Sequence, residues 1–79
     1  MQIQVKLMDI FRDYLPPGSD VSKFILDCQT NDRVENIFII LGIPDDLPCV
    51  ILCHGQIIEK DRLLAGGDVI AIFSPIFGG

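Results

Sequence analysis

The chain reads as an α+β fold in which one main helix packs on one face of a mixed sheet of about five strands. Three observations predict it. Short apolar runs keep the period of two that belongs to a strand with one buried face. One longer run, Val34 to Leu41, repeats its apolar residues at helical spacing. Clusters of Gly, Pro, Asp and Ser separate these runs. At 79 residues the chain is expected to form one domain over 1–79, with 75–79 as a flexible C-terminal tail. A domain of that size buries only about 60% of its unfolded surface, which leaves no room for a large catalytic cleft.

Ile3, Val5 and Leu7 alternate with Gln2, Gln4 and Lys6, giving the first strand. Phe11, Tyr14 and Leu15 are spaced for one helical turn, and Pro16-Pro17-Gly18-Ser19-Asp20 is a loop. Lys23 to Cys28 reads as the second strand, with Phe24 and Leu26 on one face and Ile25 on the other. Asp32 as N-cap, with Glu35 three residues on, has the spacing of a capping box. Val34, Ile37, Phe38 and Leu41 then form one stripe, which Ile39 and Ile40 widen, and Gly42 with Pro44 ends the helix. Its β-branched residues lower helix propensity, so the helix should depend on docking against the sheet. Cys49 to Cys53 is a third strand, His54-Gly55 a tight turn and Gln56 to Glu59 a fourth strand. Lys60 to Arg62 reads as a charged loop and Leu64 to Asp68 as a turn. Val69 to Ser74 is apolar on both faces and therefore central. The order is β-β-α-β-β-β.

Composition excludes several classes of function. Net charge is −5, which repels phosphate backbones and provides no basic stripe for nucleic acid; partners should present basic surfaces. The longest apolar run falls short of the roughly 20 residues that span a bilayer, and the first residues alternate instead of forming a signal peptide. The expected location is the cytoplasm, without membrane contact. Three cysteines, Cys28, Cys49 and Cys53, argue against a disulfide framework and for reduced thiols acting as small hydrophobes.

The last residues carry the functional reading. After the apolar run from Val69, Pro75, Ile76 and Phe77 lead to Gly78-Gly79. A terminus is ordinarily polar and frayed, so Ile76 and Phe77 call for a surface that receives them. Two residues without Cβ suit a carboxylate that must enter a channel too narrow for side chains. The bland alternative is an inert glycine tail.

Leu64-x-x-Gly67-Asp68, then Val69 to Phe73, then Pro75-x-x-Gly78-Gly79, resemble the sulfur-carrier branch of the ubiquitin-like β-grasp proteins. That family holds the small subunit of molybdopterin synthase and the thiamine-pathway sulfur carrier. Softer matches are Val34 to Leu41 with Gly42-Ile43-Pro44, and Lys6-Leu7 followed by Phe11 to Pro16. Two departures stand out: many members have Pro-Pro where this chain has Ser74-Pro75, and Asn-Gly where it has His54-Gly55. Since Ser74 does not fix φ, the first departure should loosen the exit of the tail.

The resemblance implies a β-grasp carrier, itself no enzyme. Its Gly79 carboxylate would be adenylated by a separate activating enzyme that uses ATP and then converted to a thiocarboxylate. Gly78 would be the narrow spacer, and Phe73, Pro75, Ile76 and Phe77 the docking residues, with no cofactor or metal held by the chain. The second partner would be a sulfur-acceptor synthase such as the molybdopterin synthase large subunit. The long Asp9 to Ser22 connection favours molybdopterin or the tungsten cofactor over thiamine or cysteine biosynthesis. A protein modifier joining Gly79 to lysine amines would use the same terminus, and a plain interaction module is the third class.

Other candidates are weaker. Cys49 and Cys53 lie about 13 Å apart along an extended strand, too far to share zinc at Zn–S distances of about 2.3 Å, even with His54 adjacent. Asp45-Asp46 and Glu59 to Arg62 read as solvated loop charges, with Glu59, Asp61 and Asp68 steering a basic partner. Phe11, Tyr14 and Leu15 read as a satellite of the core. Ile70 and Ile72 could be core or interface.

Overall fold

Strand β1, Gln2–Leu7, buries Ile3, Val5 and Leu7 on one side and turns Gln2, Gln4 and Lys6 to the other, as its alternation requires. A computed structural model describes residues 1–75 of the chain. β2, Lys23–Asp27, runs antiparallel beside β1, and β5, Val69–Phe73, runs parallel on the other side of β1. β3, Val50–Cys53, pairs antiparallel with β5 and with the short β4, Gln56–Ile57. The sheet order is β2-β1-β5-β3-β4, with β5 at the centre as its two apolar faces predict. A parallel neighbour cannot be joined by a tight turn. The segment between β1 and β5 therefore holds every other element, including α1, Val34–Leu41.

The core lies between α1 and one face of this sheet. Val34, Ile37 and Phe38 meet Ile3, Val5, Leu7, Ile51, Cys53, Ile70 and Ile72, all buried. Ile70 and Ile72 are fully enclosed, which settles them as core. Phe11, on the 3-10 turn Asp9–Tyr14, is also fully buried, with Tyr14 and Leu15 packed against the same cluster. Burying an aromatic side chain of this kind contributes on the order of 2 kcal/mol. Cys28 and Cys53 are buried and Cys49 partly so, and all three are free thiols.

Two details of α1 differ from the sequence reading. Its N-cap is Arg33, whose N–H donates to Asn36 Oδ1 at 2.7 Å; Asp32 instead accepts from the Gln29 N–H at 2.9 Å, closing the turn before the helix. Asp32 and Asn36 are both short acceptors, and the one at the third helical position captures the cap N–H in place of Glu35. Ile39 and Ile40 do not widen the buried stripe: they are 73% and 55% exposed. The stripe falls on Val34, Ile37 and Phe38, and a helix this short presents a single face to a single sheet. The C-terminus follows the expected signal. Gly42 takes φ 73°, its N–H bonds to Ile39, and the Ile43 N–H reaches Phe38 O at 2.9 Å, a Schellman closure with Ile43 buried beneath it.

Four strands are trimmed against expectation: β2 ends at Asp27, β3 starts at Val50, β4 ends at Ile57 and β5 at Phe73, although the Ile58 N–H still donates to Ile51 O at 2.9 Å. His54 and Gly55 both have positive φ, 53° and 76°, the backbone of a two-residue hairpin turn. Among the described residues no helix is long and apolar enough to cross a membrane.

Candidate functional site

Among the described residues, the face of the sheet away from α1 is left open and is largely apolar. Register places Val69, Ala71 and Phe73 of β5 there, beside Val50 and Leu52 of β3 and Ile57 of β4. On the other side of β5 the same face continues through Gln4 and Lys6 of β1 to Ile25 of β2. Val50, Leu52, Val69, Ala71 and Phe73 are half-buried and Ile57 is 73% exposed. An antiparallel neighbour pair with one wet face usually alternates apolar with polar; here β3 and β5 are apolar on both faces, which leaves a patch of the kind that interaction surfaces carry.

The end of β5 is held. The Met8 N–H donates to Ile72 O at 3.0 Å, and the Ser74 N–H donates to Asp9 Oδ2 at 3.2 Å. Asp9 stands at φ 55°, a conformation that short acidic side chains tolerate better than most. Ser74 is thus tied down where the sequence suggested a loosened exit, because a backbone N–H that proline lacks finds a carboxylate. Pro75 follows, exposed. Of the expected docking residues, Phe73 lies on the open face and Pro75 at its exit. Ile76, Phe77, Gly78 and Gly79 lie outside the described residues.

A second cluster lies at the opposite end of β5. Asp68 is buried, and its carboxylate collects three donors or partners: the Ala65 N–H at 2.8 Å and Arg62 Nη1 at 3.1 Å on Oδ2, and His54 Nε2 at 3.2 Å from Oδ1. Burial pushes its pKa up, but the Ala65, Arg62 and His54 contacts and the Arg62 charge outweigh that and leave it below the usual carboxylate value. Gly67, at φ 85°, makes the turn that returns the Asp68 N–H to Ala65 O at 3.1 Å. This is the structural content of the Leu64-x-x-Gly67-Asp68 motif. Asp68 therefore cannot steer a partner, and Arg62 is not a merely solvated loop charge. Lys60 is likewise engaged, 3.1 Å from Asp45 Oδ1 and 4.5 Å above the Phe38 ring. Glu59 and Asp61 stay exposed as expected.

Cys53, His54 and Asp68 bring ligand-type atoms within 4.8 Å of one another, a grouping that the Cys49–Cys53 spacing did not foresee. Both carboxylate oxygens of Asp68 are already engaged, and the Arg62 guanidinium supplies the positive charge of the cluster. Burial and then the Asp68 charge push the Cys53 thiol up, so it stays protonated at neutral pH. The cluster is arranged as a structural polar node.

A parallel β1–β5 pair at the centre, with a helix on one face and an apolar open face on the other, is the β-grasp fold. No protein-family model and no curated protein matches the chain. Solved structures do. SAMP1 from Haloferax volcanii aligns over 100% of both chains with a TM-score of 0.75 at 18% identity. A candidate molybdopterin converting factor, subunit 1, from Pyrococcus furiosus covers 95% of this chain and 98% of its own, with a TM-score of 0.72 and 19% identity. The complex of subunits 1 and 2 of the molybdopterin-converting factor from Helicobacter pylori contains a chain that aligns over 100% of both lengths, with a TM-score of 0.61 and 21% identity. At these identities the likeness is one of fold.

Proposed function

We propose that this protein is a sulfur carrier of cofactor biosynthesis, with the Gly79 carboxylate as its working group and molybdopterin or the tungsten cofactor as the destination. The observation that supports this best is the central strand β5, pinned at Ser74 and leading into Pro75-Ile76-Phe77-Gly78-Gly79 on a fold shared with a molybdopterin-converting-factor subunit. A carboxylate, ionised at pH 7, is a poor electrophile. Attack of its oxygen on the α-phosphorus of ATP releases pyrophosphate and gives an acyl adenylate. A sulfide-level nucleophile then attacks the acyl carbon and expels AMP, leaving the thiocarboxylate. An activating enzyme supplies both steps, and the carrier contributes the acyl group and the docking face. Intact mass of the protein from its own cell tests this directly: one oxygen replaced by sulfur supports the carrier, and an unmodified terminus under sulfur-replete growth argues against it.

A second reading is favoured by the likeness to SAMP1, described in another structure as a small archaeal modifier protein. The same adenylate would then be attacked by a lysine amine to give an isopeptide. Recovery of this chain linked through Gly79 to other proteins would support that reading over the carrier.

Two binding predictions follow from the open face and the charge. Ile57→Ser, on the uncovered face, should leave the melting temperature nearly unchanged while weakening binding to the synthase large subunit by about tenfold, given roughly 1.5 kcal/mol for burying an aliphatic side chain. Isothermal titration giving equal affinities would remove β4 from the interface. With net charge −5 and Asp45, Asp46, Glu59 and Asp61 exposed, association with a basic surface should slow as salt rises, while dissociation changes little. Stopped-flow kinetics over a salt series separates the two rates, and an association rate indifferent to salt would rule out steering.

A further inference from the structure

β2 is an edge of the sheet, and its pairing with β1 fixes which backbone groups face outward. The Met1 amino group donates to Cys28 O at 2.9 Å and the Cys28 N–H to Met1 O at 2.7 Å, while the Leu7 N–H donates to Ser22 O at 2.8 Å. Hydrogen-bonded pairs alternate along an antiparallel ladder, so the bonded pairs within it are Ile3–Leu26 and Val5–Phe24. The N–H and C=O groups of Lys23, Ile25 and Asp27 therefore point away from the sheet. Among the described residues only the Lys23 carbonyl of these is engaged, by the Asp20 N–H at 3.0 Å. The side chains of the same three residues lie on the open face, with Ile25 60% exposed.

An edge with open backbone groups and an exposed isoleucine is a template for another strand. The five residues read Lys23-Phe24-Ile25-Leu26-Asp27, a pattern that mirrors itself about Ile25 with opposite charges at its ends. We propose that two copies of this chain pair edge to edge through β2, antiparallel and centred on Ile25, to form one continuous sheet. In that register Ile25 faces Ile25 as a hydrogen-bonded pair, and each Lys23 stands opposite the Asp27 of the second copy. A slip of one residue sets Ile25 against Phe24 or Leu26, whose side chains lie on the other face, and a slip of two sets an ion against Ile25, so phase and charge together select the register. Within one copy, Lys23 lies opposite Lys6, a like-charge pair. Neither Lys23 nor Asp27 makes an ion pair among the described residues. A groove of about 1040 Å³ bounded by the loop 13–20, β2 and the end of α1, with Phe24, Leu26, Ile40 and Leu41 in its lining, lies beside this edge. β5 lies two strands in, about 10 Å from this edge, so its exit stays open and the pairing is independent of the carrier reading.

Charge reversal tests the register. The Lys23→Asp chain carries an acid at both positions, and the Asp27→Lys chain a base at both, so each should self-associate at least about tenfold more weakly than the parent. Mixed together, the two variants have complementary edges and should pair with each other, and the double variant Lys23→Asp/Asp27→Lys should self-associate as the parent does. Sedimentation over a concentration series up to millimolar reads the association. Hydrogen exchange should show the Ile25 amide gaining protection with concentration in the parent and not in the single variants. Circular dichroism checks that each variant is folded. A parent that stays monomeric throughout, single variants that self-associate like the parent, a mixture that fails to pair, or protection rising on β3 and β5 instead of β2 would each overturn the proposal.

Discussion

Deleting Gly79 is expected to abolish ATP-dependent activation of this chain while leaving its melting curve unchanged. Among the described residues the last member of the core is Ile72, and the Ser74 N–H that follows it donates to Asp9. The chemical consequence is the opposite. Pro75 to Gly79 extend to at most about 17 Å, so removing one residue moves the carboxylate by more than 3 Å, where a misplacement of about 1 Å already lowers rates on the order of a hundredfold. ATP–pyrophosphate exchange with the cognate activating enzyme, run alongside thermal melts, measures both quantities. Exchange at the parental rate by the truncated chain would exclude Gly79 as the activated group. A fall in melting temperature would place the last glycine in the fold.

Most of the architecture was legible in residue spacing, and the parts that were not have a common physical cause. Alternation in β1 and β2, the stripe through Val34, Ile37 and Phe38, and the positive-φ turn at His54-Gly55 depend on neighbours a few residues away, and each was read correctly from the chain. The central place of β5 was legible in its continuous apolar run, although only the face with Ile70 and Ile72 is covered by α1 and the face with Val69, Ala71 and Phe73 is open. What escaped are contacts between distant residues. The cap at Arg33 and Asn36 was decided by geometry between two rival acceptors. The Asp9–Ser74 bond joins residues 65 positions apart. The convergence of His54 and Arg62 on Asp68 requires the β3–β4 turn and the following loop to return to the start of β5, which no spacing reveals. For the candidate site, the open face followed from strand phase once Ile70 and Ile72 proved to be core. Ile57 and Ile25 belonged to no recognised motif.

Asp68→Ala should lower stability at neutral pH by about 2–4 kcal/mol, from the loss of charge-assisted bonds and the donors left without an acceptor. For a domain of this size that corresponds to a fall in melting temperature on the order of 10–20 °C. The Ala65 N–H is within the turn and cannot reorient, while Arg62, about a third exposed, can turn to water and recover part of its loss. Asp68→Asn keeps the shape and one acceptor and should fall between the two. The pH dependence separates charge from packing. Because the folded pKa of Asp68 lies below its unfolded value, its charge contributes stability fully above the unfolded value, and that contribution disappears as pH falls through the folded one. The gap between parent and Asp68→Asn should therefore be widest near neutrality and close in acid, where both carry a neutral side chain. Thermal melts of the two proteins from pH 7 down to pH 2 give the gap directly. A gap of constant size over that range would mean that Asp68 holds the turn by shape alone, with no contribution from its charge.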